Sequence, residues 1–183
     1  MHIMPNMKLP PNSSVLFDSQ TIRSRILEIA EKVRQCYAAC DLGEIEMVWI
    51  AEGARYFADA LFNAMNLSIK TRSIKVSSYG KAFESSGDVK IYDSINDIKA
   101  RRVLLVDDIL DTGLTAKTVI AKLKSNGVEE VKTCFLLNKA EKNKGCLKPD
   151  FEGFEIPDKY VFGFGLDIAG EYRDLPDIMA FDY

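Results

Sequence analysis

The apolar positions of this chain recur with two spacings, one typical of strands and one typical of helices. Four successive apolar residues at 103–106 indicate a strand that is buried on both faces of a sheet. Strands that alternate with helices along a chain favour a parallel α/β sheet. The pattern predicts strands at 47–50, 68–77, 89–92, 103–106 and 131–137, and helices at about 19–40, 56–66 and 115–126.

The same pattern divides the chain into regions of unequal regularity. The first 15 residues contain three prolines and show no periodicity, whereas the pattern loosens again beyond Gly145. We expect a single domain over 1–183, made of an N-terminal arm at 1–15, a core at about 45–140 and a hood lobe at about 145–183. The first helix should join the hood lobe, with Ser19 as the residue that caps its N-terminus.

Composition and charge exclude several classes of protein. The chain has 183 residues, 47% of them hydrophobic, and this length and composition suit one domain with a sizeable core. No apolar stretch in the sequence is long enough to span a bilayer. A net charge of −3 argues against nucleic acid as a partner, because phosphate backbones require a basic face. The only histidine is His2, which argues against histidine-based catalysis. Four cysteines without a secretory signal before them indicate reduced thiols in a cytoplasmic protein.

The end of the strand at 103–106 carries the most informative chemistry. Two adjacent carboxylates, Asp107 and Asp108, follow it directly, and a third acid, Asp111, comes three residues later. The turn Thr112-Gly113-Leu114-Thr115 then leads into a helix, whose first amide groups and dipole favour an anion. Because carboxylates accept hydrogen bonds from a ribose diol, the segment predicts a sugar-phosphate site at the mouth of the sheet.

Simpler interpretations of this segment are weaker. An Asp-rich strand end can serve only to cap the next helix, but three acids followed at once by Thr-Gly-x-Thr argue against that role alone. The turn lacks the Gly-Lys-Ser/Thr of a Walker loop, and the chain has no Gly-x-Gly-x-x-Gly fingerprint. A sugar phosphate therefore remains the ligand that fits both the acids and the turn.

The segment resembles the phosphoribosyl pyrophosphate signature of the type I phosphoribosyltransferases. Other segments resemble the hypoxanthine (hypoxanthine-guanine) branch of that family, from about residue 16 to about residue 178. These segments are 78–79, 136–139, 148–161, 165–167 and 172–176. The resemblance implies an α/β, type I phosphoribosyltransferase fold and purine salvage: transfer of a 5-phosphoribosyl group from phosphoribosyl pyrophosphate to N9 of hypoxanthine, and of guanine, with Mg²⁺ on the pyrophosphate.

The resemblance also implies roles for individual residues. Asp111 would be the general base near purine N7, a task for which a carboxylate is suited. Lys139 would donate to the exocyclic O6, Tyr160 would stack on the base, and Val161 would contact the purine edge through its backbone. The implied phosphoribosyl pyrophosphate contacts are Gly53, Asp107, Asp108, Asp111, Thr112, Gly113, Leu114, Thr115 and Arg173. The implied metal contacts are Asp107, Asp108 and Asp167, and Asp167 would also lie near the purine 2-position.

Two segments bear on how the reacting centre is closed and how pyrophosphate is held. Ser78 and Tyr79 would belong to a loop over 78–88 that excludes water from the reaction. Many family members carry Leu-Lys-Gly after the second core strand, where this chain has Ile50-Ala51-Glu52-Gly53. Glu52 would weaken pyrophosphate binding unless it faces away, pairs with Arg55 or helps to hold a metal. We therefore expect a working enzyme with weakened affinity for pyrophosphate.

Three other functions stay open on the sequence alone. A xanthine-preferring enzyme is one, because contacts to the purine 2-position cannot be read from the sequence. A regulatory nucleotide-binding protein of the same fold is supported by the change at 51–52, although Asp111 argues against it. Another sugar-phosphate enzyme is disfavoured by the segment 148–161. The expected partners are the small-molecule substrates, with neither nucleic acid nor membrane, and the family usually forms homodimers or homotetramers.

Overall fold

The computed structural model describes residues 9–79, 88–93 and 95–181. Its strands are β1 (Ser13–Phe17), β2 (Ile45–Ala51), β3 (Lys70–Tyr79), β4 (Asp88–Ile91), β5 (Arg102–Leu110), β6 (Glu130–Asn138), β7 (Phe151–Glu155), β8 (Tyr160–Phe162) and β9 (Ile178–Phe181). Its helices are α1 (Ser19–Tyr37), α2 (Arg55–Met65), α3 (Leu114–Ser125) and α4 (Ala140–Asn143), with a 3-10 helix at Leu42–Glu44. None of the helices in these ranges is long and apolar enough to cross a membrane.

Six strands form a mostly parallel sheet, which confirms the predicted α/β class. Their order is β4-β3-β2-β5-β6-β7, and only β4 runs antiparallel to its neighbour. The carboxyl ends of β5 and β6 therefore lie side by side at one edge of the sheet. The Lys139 amide just after β6 donates a hydrogen bond of 2.9 Å to the carbonyl of Leu110, the last residue of β5. This contact brings the acids after β5 close to the chain that leaves β6.

Strand β5 is buried on both faces, as its unbroken apolar run predicts. Val103 and Leu105 pack in the core layer that includes α3, whereas Leu104 and Val106 pack in the layer that includes α1 and α2. Successive side chains of a strand point to opposite faces, so four apolar residues in a row are needed where helices cover both. The sheet thus holds its central strand rigidly between two helical layers.

Helix α1 belongs to the main core rather than to the hood lobe. Its apolar stripe packs in the same layer as α2, and it also contacts β7. The cap is Asp18 and not Ser19: the Asp18 carboxylate accepts a hydrogen bond of 2.7 Å from the Thr21 amide. Ser19 is already the first helical residue, and its amide donates to Asp177 Oδ1 at 2.7 Å.

The hood lobe is a second, antiparallel sheet of order β1-β9-β8. Part of the expected arm is therefore a strand, β1, which pairs with β9 near the other end of the described chain. Strand β7 lies outside the hood, because it pairs in parallel with β6 in the large sheet. Gly153 explains how β7 fits there: a Cβ at this position would lie 2.4 Å from the carbonyl oxygen of Leu136. The core accordingly extends beyond the expected boundary near residue 145.

Candidate active site

The two adjacent acids lie inside β5, which continues to Leu110 rather than ending at residue 106. Asp107 pairs with Phe135 of β6, and its Oδ1 accepts a hydrogen bond of 3.1 Å from the Asp108 amide. Burial, and after it the charge of Asp108, raises the pKa of Asp107 well above its usual range. Burial also raises the pKa of Asp108, against the lowering effects of the Asp107 hydrogen bond and of Arg173. Two half-buried acids side by side favour a ligand that brings hydroxyl donors or positive charge.

The turn after β5 presents the start of α3 to the same edge of the sheet. Gly113 has φ of +79°, and a Cβ there would meet Leu147 Cβ at 3.2 Å and Asn143 Oδ1 at 3.3 Å, so the turn requires glycine. No side chain caps α3, and the Leu114 amide makes only a long contact of 3.4 Å with Thr112 Oγ1. The first amides of a helix lack partners within the helix, so this turn can hold an anion.

The carboxyl end of β5 meets the hood lobe through two glycines. A Cβ on Gly53, which follows β2, would lie 2.0 Å from Asp108 Oδ2. Gly165 of the hood has φ of +97°, and a Cβ there would lie 2.4 Å from the carbonyl oxygen of Gly53. Arg173 donates to the carbonyl of Gly165 at 2.5 Å. These close approaches fix the hood against the acids at the end of β5.

The residues predicted to bind a purine lie on the hood side of this junction. The Lys139 side chain is only 10% exposed, and its Nζ donates to Asp158 Oδ1 at 2.9 Å. The Tyr160 hydroxyl donates to the backbone carbonyl of Asp167 at 3.2 Å. Val161 follows in β8 and is buried. A cation, an aromatic ring and a strand backbone therefore face one space.

Asp167 is engaged within the protein by both carboxylate oxygens. Its Oδ1 lies 2.7 Å from Arg173 Nη2, and its Oδ2 accepts a hydrogen bond of 2.7 Å from the Gly170 amide. Among the residues that the structure describes, no group of three or more carboxylate, thiol or imidazole side chains could hold a metal ion. A cation at Asp167 would therefore compete with the ion pair to Arg173.

An open cavity of about 310 Å³ brings together all four residues predicted to bind the purine and three of those predicted to bind phosphoribosyl pyrophosphate. It is lined by Gly53, Asp108, Ile109, Lys139, Tyr160, Val161, Leu166, Asp167 and Arg173. The sequence reasoning missed Ile109 and Leu166, although each stands next to a residue that it selected. The phosphate turn at 111–115 is not part of this lining and flanks it at the end of β5.

A larger cavity of about 560 Å³ lies between α1, α2 and the chain near Pro176. Its lining is mainly apolar, and none of the residues selected from the sequence belongs to it. A sugar phosphate requires amides, carboxylates and cations, so the smaller and more polar cavity is the candidate site.

Two charged residues at the site were not selected from the sequence. Lys142 Nζ lies 3.0 Å from Asp111 Oδ2 and 3.7 Å from Asp158 Oδ1. Lys142 follows Lys139 by three residues, and Asp158 precedes Tyr160 by two. In the sequence, only this proximity to Lys139 and Tyr160 could have indicated that Lys142 and Asp158 lie near the site.

The loop expected to close the site and the segment expected to affect pyrophosphate binding differ from expectation in detail. Ser78 and Tyr79, predicted to lie in the loop, are the last residues of β3, where they pair with Val89 and Asp88 of β4. Cross-strand pairing thus extends into both ends of the predicted loop, and its residues 80–87 lie outside the described ranges. The Ala51–Glu52 peptide bond is cis. Glu52 is exposed, and Arg55 lies 3.6 Å from Asp59 rather than pairing with Glu52.

Comparisons with known proteins show what the whole chain is similar to. A model of the phosphoribosyl transferase domain matches residues 19–169. The hypoxanthine-guanine phosphoribosyltransferase of Aquifex aeolicus is 40% identical over 166 residues, which cover 90% of this chain and 92% of that protein. The enzyme of the same name from Bacillus subtilis is 32% identical, with 90% of each chain covered. A solved hypoxanthine phosphoribosyl transferase from Trypanosoma cruzi superposes with a TM-score of 0.84 at 29% identity, covering 96% of this chain and 95% of its own.

Proposed function

The chain belongs to the hypoxanthine phosphoribosyltransferase family, and on that premise we propose how its residues carry out the family's reaction. The protein transfers a 5-phosphoribosyl group from phosphoribosyl pyrophosphate to N9 of hypoxanthine, and of guanine, in purine salvage. The products are IMP or GMP and pyrophosphate. The relatives' names favour neither the xanthine-preferring alternative nor the regulatory one.

The observation that carries this proposal is the meeting of two kinds of chemistry at one sheet edge. The cavity is lined by Asp108 on one side and by Lys139 and Tyr160 on the other. The turn at 111–115 opens α3 beside it, with Gly113 in the left-handed conformation that the turn needs. A ribose phosphate suits the acids and the amides, and a flat base with an acceptor atom suits the tyrosine and the lysine.

Charge control at the ribose follows from the acids of β5. The bond from C1 to pyrophosphate breaks as the bond to N9 forms, so positive charge develops on the ribose ring. Asp107 and Asp108 hold the ribose hydroxyls, and their negative charge stabilises that ring in the transition state. The amides at 112–115 hold the 5′-phosphate, and Gly53 and Arg173 face the pyrophosphate.

Recognition of the purine depends on residues of β6, β8 and the chain between them. Lys139 has three donors, so its Nζ can bind purine O6 while it keeps its hydrogen bond to Asp158. Tyr160 stacks on the base, and the Val161 backbone contacts its edge. Asp111 accepts the proton that leaves purine N7 as the glycosidic bond forms. Of its two carboxylate oxygens, Oδ1 is buried without a hydrogen-bond partner among the described residues, which suits an acceptor.

The magnesium ion of this proposal fits Asp107 and Asp108 better than Asp167. Magnesium commonly binds through one or two carboxylates together with substrate phosphates, rather than in an all-protein cage. The half-buried, mutually repelling acids of β5 suit such a role. When bound, the ion would neutralise charge on the departing pyrophosphate. The homo-oligomeric state and the cytoplasmic location stay predictions.

One assay tests the proposed function. The purified protein is incubated with phosphoribosyl pyrophosphate, Mg²⁺ and, in separate reactions, hypoxanthine, guanine, xanthine or adenine, and nucleotide formation is followed. We expect IMP and GMP to form, with little product from adenine, because Lys139 requires an acceptor at position 6. Product from xanthine alone would favour the xanthine-preferring enzyme, and no product from any base would favour the regulatory protein.

A further inference from the structure

A chain of four alternating charges connects the proposed proton acceptor with the lysine that reads the purine. Lys139 Nζ donates to Asp158 Oδ1 at 2.9 Å, and Lys142 Nζ lies 3.7 Å from the same oxygen. Lys142 Nζ also lies 3.0 Å from Asp111 Oδ2. Lys142 therefore bridges two acids that belong to different parts of the site.

The backbone around Lys142 is held at several points. The Lys142 amide donates to the Lys139 carbonyl at 3.0 Å, which closes the single turn of α4. The next residue, Asn143, is buried, and its side chain exchanges two hydrogen bonds with the backbone of Leu147, of 2.6 and 3.0 Å. The Lys139 amide is bonded in turn to Leu110. The position of Lys142 is thus set by the same contacts that join β5 and β6.

The bridge contributes more to orientation than to stability. The side chains of Lys142 and Asp111 are 38% and 42% exposed, and ion pairs with this exposure contribute little to folding. Burial lowers the pKa of Lys142, but the hydrogen bond to Asp111 and the charges of Asp111 and Asp158 outweigh it and raise the pKa overall. The ammonium group therefore stays charged at neutral pH and keeps one oxygen of Asp111 engaged.

We propose that Lys142 and Asp158 are positioning residues, of which Lys142 orients Asp111 towards purine N7 and Asp158 orients Lys139 towards purine O6. Neither residue contacts the reacting atoms; each acts through its partner. The inference rests on the roles of Asp111 and Lys139 given under the proposed function. It predicts that N7 and O6, which lie on the same edge of the purine, are read by one connected group of charges.

Steady-state kinetics of Lys142→Gln test the first half of this proposal. We expect kcat to fall about tenfold, because a misoriented acceptor costs rate rather than binding, while the KM for phosphoribosyl pyrophosphate changes by less than about twofold. Lys142→Arg restores kcat to within about threefold of the wild type, since a guanidinium can keep both ion pairs. Lys122→Gln, an exposed lysine of α3, is the matched control and leaves kcat and thermal stability unchanged.

Two outcomes overturn the role of Lys142. One is an unchanged kcat in Lys142→Gln. The other is a raised KM for phosphoribosyl pyrophosphate with normal kcat, which would make Lys142 a substrate contact. Asp111→Asn measured in parallel separates this failure from failure of the proposed function. If Asp111→Asn is impaired and Lys142→Gln is not, only the positioning role is wrong; if Asp111→Asn keeps full kcat, the role of Asp111 itself is wrong.

A double variant and Asp158→Asn complete the test. Adding Lys142→Gln to Asp111→Asn should lower kcat by less than about twofold further, because the two residues act as one unit. Asp158→Asn should raise the KM for hypoxanthine about fivefold, since Lys139 loses its charged partner but keeps a hydrogen-bond acceptor. Additive losses in the double variant, or an unchanged KM in Asp158→Asn, would contradict the proposal.

Discussion

The site consists of two regions that differ in how the chain builds them. The phosphate half, residues 107–115, is one continuous segment at the end of β5 and the start of α3. The purine half gathers Lys139, Tyr160, Val161 and Asp167 from the end of β6 and from the hood. Geometry in the first region is set by the local backbone, whereas geometry in the second depends on how the hood is fixed to the sheet.

The two regions also differ in how their charges are balanced. In the phosphate half, burial and the charge of Asp108 raise the pKa of Asp107, and no cation of the described residues offsets them. In the purine half, the hydrogen bond from Lys139 lowers the pKa of Asp158, and Asp167 pairs with Arg173. The charges of the purine half are therefore paired before substrate binds, whereas Asp107 and Asp108 of the phosphate half require a ligand to stabilise them.

The largest effect is expected where the two regions meet. Gly165→Ala places a Cβ 2.4 Å from the carbonyl oxygen of Gly53 and should push the hood away from Asp108. A displacement of about 1 Å in a positioned site costs about a hundredfold, so kcat/KM should fall by that factor. Steady-state kinetics of the purified variant measure kcat/KM, and thermal unfolding measures the effect of the displaced hood on stability.

Gly127→Ala is the matched control for that prediction. Gly127 has φ of +93°, close to the +97° of Gly165, but nothing lies within 4 Å of a Cβ placed there. Both variants bear the conformational cost of about 1–2 kcal/mol for alanine in the left-handed region, and only Gly165→Ala adds the clash. Equal losses of activity in the two variants would show that the junction at Gly53 does not set the site.

Smaller effects are expected in the phosphate half, where one substitution should raise stability and lower activity. Asp107→Asn removes a half-buried charge that repels Asp108, so the ligand-free protein should gain about 2–4 °C in Tm for about 1 kcal/mol. The same change weakens charge stabilisation at the ribose and should lower kcat/KM about tenfold. The pKa of Asp107 is raised in the folded state, so this residue lowers wild-type stability increasingly as pH rises above the usual range of an aspartate. The Tm gap between variant and wild type should widen accordingly.

Asp97→Asn, a change at an exposed aspartate, provides the comparison for that experiment. It should alter neither the Tm of the ligand-free protein nor its activity beyond small surface effects. If the Tm of Asp107→Asn were at or below that of the wild type across the pH range, the charge of Asp107 would not be destabilising, and the two regions would not differ in charge balance.

The same contrast explains what the sequence could predict. The order Asp107-Asp108, Asp111 and the turn to Thr115 could be read directly, because neighbours in the chain remain neighbours in the site. The length of β5 could not, since pairing of Asp107 with Phe135 overrides the low strand propensity of aspartate. Membership of Lys139, Tyr160 and Asp167 in one site came only from family resemblance.

Other features depend on tertiary contacts that no local pattern reports. Strand β7 has the sequence Phe-Glu-Gly-Phe-Glu, and its place in the sheet depends on the close approach of Gly153 to Leu136. Lys142 and Asp158 look like ordinary surface charges until the fold places both beside Lys139. These ion pairs can be recognised only in the folded structure, where the carboxyl ends of β5 and β6 lie side by side.

The smallest effect is expected from a change that spares the aromatic ring in the purine half. Tyr160→Phe loses the hydrogen bond of 3.2 Å to the Asp167 carbonyl but keeps the face that stacks on the base. One neutral hydrogen bond corresponds to about a two- to fivefold rise in the KM for hypoxanthine. Tyr160→Leu also removes the ring and should raise that KM about tenfold or more, because stacking is lost as well. If the two variants had equal KM values, the ring would not contact the purine, and the purine half would be held by Lys139 and the Val161 backbone alone.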